Sequence, residues 1–323
     1  MPLLYIFQAK FKRLGGGDMP AHAAPAQSHA LGSRLGNAIQ ALFSILNFFR
    51  VGGWVHFLGL YLLGAVYAAG EIPMTTPFYV GFGCCCAYLS FTYGYNNLFD
   101  RDLDAPAKNP ITAGRIPFNQ ARYLALTAGL AGWVLSWLVS VPAGLLATGM
   151  HLASWLYSGP FQVKRIFIAG SLTNCLIFIP IFTMGMLISG GAAAGGFFMA
   201  LVFCPSVMIP QLAHEIQDRE SDLKAGVQTV AVKAGKKKTI GFMRLLALFR
   251  ALLGWVGFFP GYLAAGDALL ISAISLFEIG LMSLYSHERD LAKMRLFFRF
   301  SNIILGLGLL ALWMLRGRLE GAI

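Results

Sequence analysis

Apolar residues run through this chain in long blocks, each about the length of a membrane span, with Gly, Pro or charged residues between them. The blocks predict about nine transmembrane helices, at 51–70, 76–96, 121–139, 142–158, 168–189, 195–214, 246–264, 267–286 and 299–315. The runs are continuous and do not alternate with period two, which argues against a β-barrel. Upstream, residues 34–50 set Leu35, Ile39, Leu42, Phe43, Leu46 and Phe49 at helical spacing between Arg34 and Arg50, the pattern of an interfacial helix leading into the first span. Residues 1–33 carry a short apolar patch, then Lys10, Lys12 and Arg13, then a Gly/Ala/Pro-rich tract. The charges follow the patch, which is too short for a signal peptide, so this stretch reads as a mobile cytoplasmic tail. The expected architecture is an all-α integral membrane bundle, a single domain over 34–323, around a central cavity open at the cytoplasmic face.

Composition agrees: 57% of residues are hydrophobic, 12% are charged and the mean hydropathy is +0.65. A net charge of +11 raises the question of nucleic acid, and its placement answers against it. Lys and Arg crowd into alternate connections: Arg101 to Arg122, then Lys164 and Arg165, then Arg219 to Lys238, then Arg289 to Arg295. By the positive-inside rule those connections are cytoplasmic, the N-terminus is inside and the C-terminus outside, with Arg316 and Arg318 the exceptions. The five cysteines all fall in expected spans without the spacing of a zinc site, and read as packing residues.

The negative charge is gathered. Of fourteen acidic residues, Asp100, Asp102, Asp104, Asp218, Glu220 and Asp222 lie in two stretches of the form Asp-Arg-acid-x-Asp, one in each half of the chain. If each continues a helix, Asn96, Asp100 and Asp104 share one face and Asp218 and Asp222 share another. Carboxylates so close repel, and a cation between them relieves it. Oxygen clusters suit a hard ion, and Mg²⁺ binds through one or two carboxylates plus substrate phosphates. The basic loops after both stretches suit a polyanion. The pattern therefore points to a Mg²⁺–diphosphate site at the cytoplasmic mouth. Glu278, well inside the eighth expected span, is either functional or neutralised by a partner such as Asn302.

These residues resemble the UbiA-type family of intramembrane prenyltransferases, whose motifs read Asn-Asp-x-x-Asp-x-x-x-Asp and Asp-x-x-x-Asp. Asn96, Asp100 and Asp104 match the first, Asp218 and Asp222 the second. Tyr157-Ser158 with Lys164-Arg165, Gly170 with Asn174, and Asp222-x-x-x-Gly226-x-x-Thr229 are further similarities, over roughly residues 40–315. Two positions depart: Asn97 stands where the family has Asp, and Asn109-Pro110 where it has Arg-Pro. The resemblance implies transfer of a prenyl group from a polyprenyl diphosphate to an aromatic or other lipophilic acceptor, with membrane lipid around the site and no nucleic acid. It implies Mg²⁺ ligands Asn96, Asp100, Asp104, Asp218 and Asp222. Lys108, Arg115, Lys164, Arg165 and Lys224 would contact the diphosphate, and Tyr93, Tyr157 and Phe161 would stabilise a carbocation through their π faces. Two competing activities are phosphoribosyl transfer to a lipid phosphate, used by a branch of the same family, and cation-coupled transport. Transport sites lie near the midplane, whereas these motifs lie at one face.

Overall fold

A computed structural model describes residues 26–191, 194–284 and 291–320, all helices and connections among those residues. The elements are α1 (Ala26–Phe48), short turns at Val51–Trp54 and Val55–Phe57, α2 (Leu58–Ala69), α3 (Thr76–Phe99), α4 (Phe118–Val139) and α5 (Val141–Ser158). A 3₁₀ turn (Val163–Arg165) leads to α6 (Ala169–Ile188), α7 (Ala194–Lys224), α8 (Val230–Phe258), α9 (Ala265–Leu284) and α10 (Leu291–Glu320). Each expected span corresponds to one helix from α2 to α10. α1 starts upstream of the expected interfacial stretch and exposes Ile39, Leu42, Phe43 and Leu46. The expected tail before Ala26 and Arg289 lie outside the described residues.

Local signals place the helix starts. Thr75 accepts from Phe78 N ahead of α3, and Ser140 accepts from Ala143 N ahead of α5, each with proline in the first turn. Helix ends run past the apolar blocks: α7 continues to Lys224, α8 begins at Val230 and α10 at Leu291. Lys236 to Lys238, expected in a connection, are thus helical, just beyond a kink at Gly235 (φ 76°). Hydropathy marks the part of a helix that meets lipid, and helical hydrogen bonding needs no apolar side chains.

Seven segments are long and apolar enough to cross a membrane, the first joining the end of α1 to α2 as Ala38–Ala69. α3 and α5 are outside that set because they carry polar side chains that satisfy one another. Ser154 Oγ lies 2.9 Å from both Tyr88 Oη and Thr92 Oγ1, and Tyr88 also donates to Ile177 O. α2 and α6 pack backbone against backbone, since a Cβ at Gly64 would overlap the Phe182 carbonyl and one at Gly185 the Tyr61 carbonyl.

Glu278 is structural, and Asn302 is not its partner. Arg250 Nη2 lies 2.8 Å from Glu278 Oε2 and Ser301 Oγ donates to Oε1 at 2.5 Å, while Asn302 donates to Ser206 O. Arg250 also reaches Ser206 (2.9 Å) and Ser275 (3.0 Å), so this wholly buried pair ties α7, α8, α9 and α10 together. Arg250, a charge inside the expected span 246–264, is the signal the sequence reading passed over. Arg316, the charge that does not fit the positive-inside pattern, is neutralised by buried Asp267 at 3.0 Å. All five cysteines are free, and Cys84, Cys85 and Cys175 are buried, as expected of packing residues.

Candidate active site

α3 delivers the first acidic stretch. The helix ends at Phe99, earlier than a continuous helix through Asp104 requires, but Asp104 N still bonds Asp100 O at 2.8 Å, so one more turn follows. Asn96 Nδ2 donates to Asp100 Oδ2 (2.8 Å), and Lys164 Nζ bridges Asn96 Oδ1 (2.8 Å) and Asp100 Oδ1 (2.5 Å). Ser158 Oγ donates to the same Asn96 oxygen at 2.9 Å. Asp104 pairs with Arg50 Nη2 at 2.7 Å. Asp102 lies off this face, on Arg101, whose guanidinium stacks 4.2 Å over Phe118.

The two departures from the family pattern are clamps. Asn97 is fully buried and donates to Phe48 O at 2.6 Å; Asn109, also buried, donates to Asn97 O at 2.8 Å and accepts from Ile111 N. They tie the end of α1 and the loop after Asp104 to α3, on a face away from Asn96 and Asp100.

α7 carries the second stretch intact as helix. Asp218 Oδ2 lies 3.4 Å from His214 Nδ1, and Asp222 Oδ2 lies 3.5 Å from Thr229 Oγ1, the residue that caps α8. Val227 N bonds Asp222 O while Gly226 takes φ 69°, a left-handed exit that only glycine adopts without strain. Glu215, one turn before, is held by Ser171 Oγ (2.8 Å) and Val230 N (3.0 Å), which fastens α6, α7 and α8.

The turn Val163–Arg165 joins the two stretches. Its Lys164 holds Asp100, its Arg165 carbonyl accepts from Gln228 N at 3.0 Å, and both Arg165 and Lys108 lie near enough to act electrostatically on Asp222. Burial pushes the Lys164 ammonium below an ordinary lysine, and Asp100 opposes that shift. Among the described residues, the non-glycine positions with positive φ are Arg50 (50°), Gln162 (43°) and Ile168 (52°). All three flank this site, where backbone strain is held by surrounding structure.

Gly170 explains itself here. A Cβ at that position would lie 2.8 Å from the Lys164 carbonyl oxygen and 2.9 Å from its Cα, so only glycine lets α6 start against this turn. Gly170→Ala is expected to displace Lys164 and slow turnover about ten- to a hundredfold, whereas Gly149→Ala, with no atom within 4 Å, leaves it unchanged. Steady-state rates of the two purified variants check this, and equal rates would remove the steric account.

Tyr157 and Tyr93 lie near enough to act on one another electrostatically, and Asn174, the polar residue of α6 that needed a partner, is beside the Tyr157 hydroxyl. Phe57 stacks on Phe178 (3.9 Å), whose ring lies 6.4 Å from that of Tyr93. Phe161 is not in this row: it is 61% exposed and edge-on to Trp155. The Arg115 and Lys224 side chains are exposed and make no hydrogen bond or ion pair among the described residues.

The five expected metal ligands are not gathered as one cage. Among the described residues no group of three or more His, Cys, Asp and Glu side chains is placed to hold a metal ion. Lys164 and Arg50 engage the first set of carboxylates and His214 adjoins the second. Two stretches of hard oxygen donors, linked through the Val163–Arg165 turn, suit an ion that takes few protein ligands and completes its shell with phosphate and water. Arg50 and His214 were not singled out by the motifs, and Ser158 entered only as the neighbour of Tyr157; the arginine at the end of an interfacial pattern was the only local trace of the first.

A model described as the UbiA prenyltransferase family matches residues 57–304. Digeranylgeranylglyceryl phosphate synthase of Pyrococcus abyssi is 25% identical over 222 residues, 66% of this chain and 78% of that protein. Lycopene elongase/hydratase of Halobacterium salinarum is 29% identical over 210 residues, 58% of this chain and 70% of that one. The solved structure of a UbiA homologue from Archaeoglobus fulgidus bound to GPP and Mg²⁺ superposes with a TM-score of 0.70 at 17% identity, covering 84% of this chain and 99% of that one.

Proposed function

The chain belongs to the UbiA prenyltransferase family, and from that premise we propose that it uses Mg²⁺ and a polyprenyl diphosphate to prenylate a lipophilic acceptor at the cytoplasmic face. It is a multi-pass membrane prenyltransferase; the metal, the residue roles and the orientation, N-terminus inside and C-terminus outside with α1 along the interface, are the proposal. The observation that carries it is the Lys164 bridge, which sets a cation on Asn96 and Asp100 within a turn bonded to the loop after Asp222.

In this reading Asn96, Asp100, Asp104, Asp218 and Asp222 hold Mg²⁺ against the diphosphate. When bound, the metal neutralises charge as it develops on the leaving group. Lys164, Arg165 and Lys108 reach the same oxygens and hold the diphosphate in place; Arg115 and Lys224 stand further out. The allylic C–O bond breaks with its electron pair leaving on pyrophosphate, and the acceptor's nucleophilic atom bonds the allylic carbon and loses a proton. Tyr93 and Tyr157, backed by Phe178, face the cation with π electrons and exclude water. The prenyl tail extends between apolar helices into lipid. The names of the Pyrococcus and Halobacterium relatives, one a lipid phosphate synthase and the other acting on lycopene, support a lipid-like acceptor and a pocket whose apolar residues choose it.

Purified protein given geranyl diphosphate is expected to release pyrophosphate only with Mg²⁺, to stop on chelation, and to yield a prenylated product when membrane lipid extract is added. Mass spectrometry of the extract identifies the acceptor. Release that persists in excess chelator would exclude the metal, and phosphoribosyl diphosphate turning over instead of geranyl diphosphate would exclude prenyl transfer.

A further inference from the structure

Away from the candidate active site, the end of α3 and the start of α4 border an open groove of about 340 Å³. Tyr95 and Phe99, one turn apart on α3 with ring centroids 4.9 Å apart, line one side, and Phe118 and Leu126 of α4 line the other. Arg101, Asp102 and Arg122 complete it. Tyr95 and Phe99 lie roughly a quarter-turn round α3 from Asn96 and Asp100, so the groove opens on a different side of the helix end from the Lys164 bridge.

The depth and charge of this groove are those of a membrane interface. Arg122 lies one turn into Phe118–Val139, a helix long and apolar enough to cross a membrane, and Leu126, one turn deeper, is half exposed, as a side chain against acyl chains is. The Arg122 side chain is exposed and makes no hydrogen bond or ion pair among the described residues; its guanidinium lies 5.6 Å from the centre of the Tyr123 ring. Arg101 lies flat over Phe118 at 4.2 Å, and only its Nε meets a carboxylate, that of well-exposed Asp102, at a loose 3.4 Å. Two guanidiniums against one carboxylate leave the groove net positive above an apolar and aromatic floor. That combination complements an amphiphile with an anionic head. Scattered basic residues attract anionic lipid only as a diffuse field; these two share a recess.

We infer that this groove binds one anionic phospholipid, a ligand separate from both the prenyl donor and the acceptor. Its phosphodiester lies between Arg101 and Arg122, whose planar guanidiniums suit phosphate oxygens, and an acyl chain runs over Phe99 and Leu126. Asp102 opposes the head and lowers its affinity. The site backs onto the reaction site without sharing its contacts: the Arg101 carbonyl accepts from Thr112 Oγ1 at 2.6 Å, so a lipid held by Arg101 braces the turn after Asp100 and the loop that carries Lys108.

Native mass spectrometry of the full chain, delipidated in detergent and titrated with phosphatidylglycerol, phosphatidylethanolamine or phosphatidylcholine, tests this. The wild-type protein is expected to retain a single phosphatidylglycerol at least about fivefold more tightly than either zwitterionic lipid. Arg122→Gln and Arg101→Gln are each expected to weaken it about tenfold, the loss of one charge-assisted hydrogen bond. Lys237→Gln, an exposed basic position outside the groove, is expected to change it less than about twofold. Asp102→Asn is expected to tighten it about two- to fivefold, a gain that misfolding does not produce. The inference is overturned if phosphatidylcholine is retained as tightly as phosphatidylglycerol, or if Arg122→Gln and Lys237→Gln weaken binding alike, which would leave only a diffuse field. It is also overturned if phosphatidylethanolamine binds best and Asp102→Asn loosens it, which would make the ligand a zwitterion held through its ammonium.

Discussion

Asp100→Asn and Asp218→Asn, each removing one charge with little change of shape, are expected to lower Mg²⁺-dependent turnover of geranyl diphosphate at least about a hundredfold. In the proposed mechanism each carboxylate belongs to a different acidic stretch, Asp100 held by Lys164 and Asp218 beside His214, and the loss of either is expected to leave charge on the departing diphosphate unmatched. If both stretches act on one leaving group, the double variant is expected to be little slower than either single one. Rates of pyrophosphate release against Mg²⁺ concentration check this. Wild-type turnover in both variants would detach the acidic stretches from the chemistry.

Glu278→Gln is expected to destabilise the protein by about 3–5 kcal/mol, because it leaves the Arg250 guanidinium buried without its counter-charge. Replacing both partners, as Arg250→Met with Glu278→Leu, is expected to regain much of that loss, since two apolar side chains leave no orphaned charge. Unfolding in detergent micelles, followed by loss of helical signal, measures both. A single variant as stable as the parent protein would show that the pair contributes nothing beyond its volume. The contrast with the first prediction separates two kinds of acid in this chain, part-exposed and wholly buried. Asp100 and Asp218 sit in the last turns of their helices with flexible or titratable partners, while Glu278 is locked mid-helix by a guanidinium and the Ser301 hydroxyl.

An acidic residue in an apolar block is conspicuous, but its partner lies on another helix, and which side chain arrives depends on how the helices are rotated against one another. Asn302 was a reasonable partner for Glu278 by type; the rotation of α10 gives that place to Ser301 and that of α8 supplies Arg250. Gly170 shows the same limit from the other direction. It stands in a pattern suited to helix–helix contact, yet what it meets is the turn carrying Lys164, while the tightest helix contact is made by Gly64 and Gly185.

The number of spans, their places, the clustering of acid and base in connections of like parity and the two acidic motifs were determined by sequence alone. Hydropathy, helical period and charge placement are properties of neighbouring residues, and a membrane imposes them locally. Only the tertiary structure decided the partners: Lys164 on Asp100, Arg50 on Asp104, Arg250 on Glu278, Asn97 and Asn109, the two departures from the motif, as clamps, and Phe161 outside the aromatic row. Such pairings are set by the packing of helices far apart in sequence, and a side chain's local neighbours carry no record of what comes to meet it from the other side of the bundle.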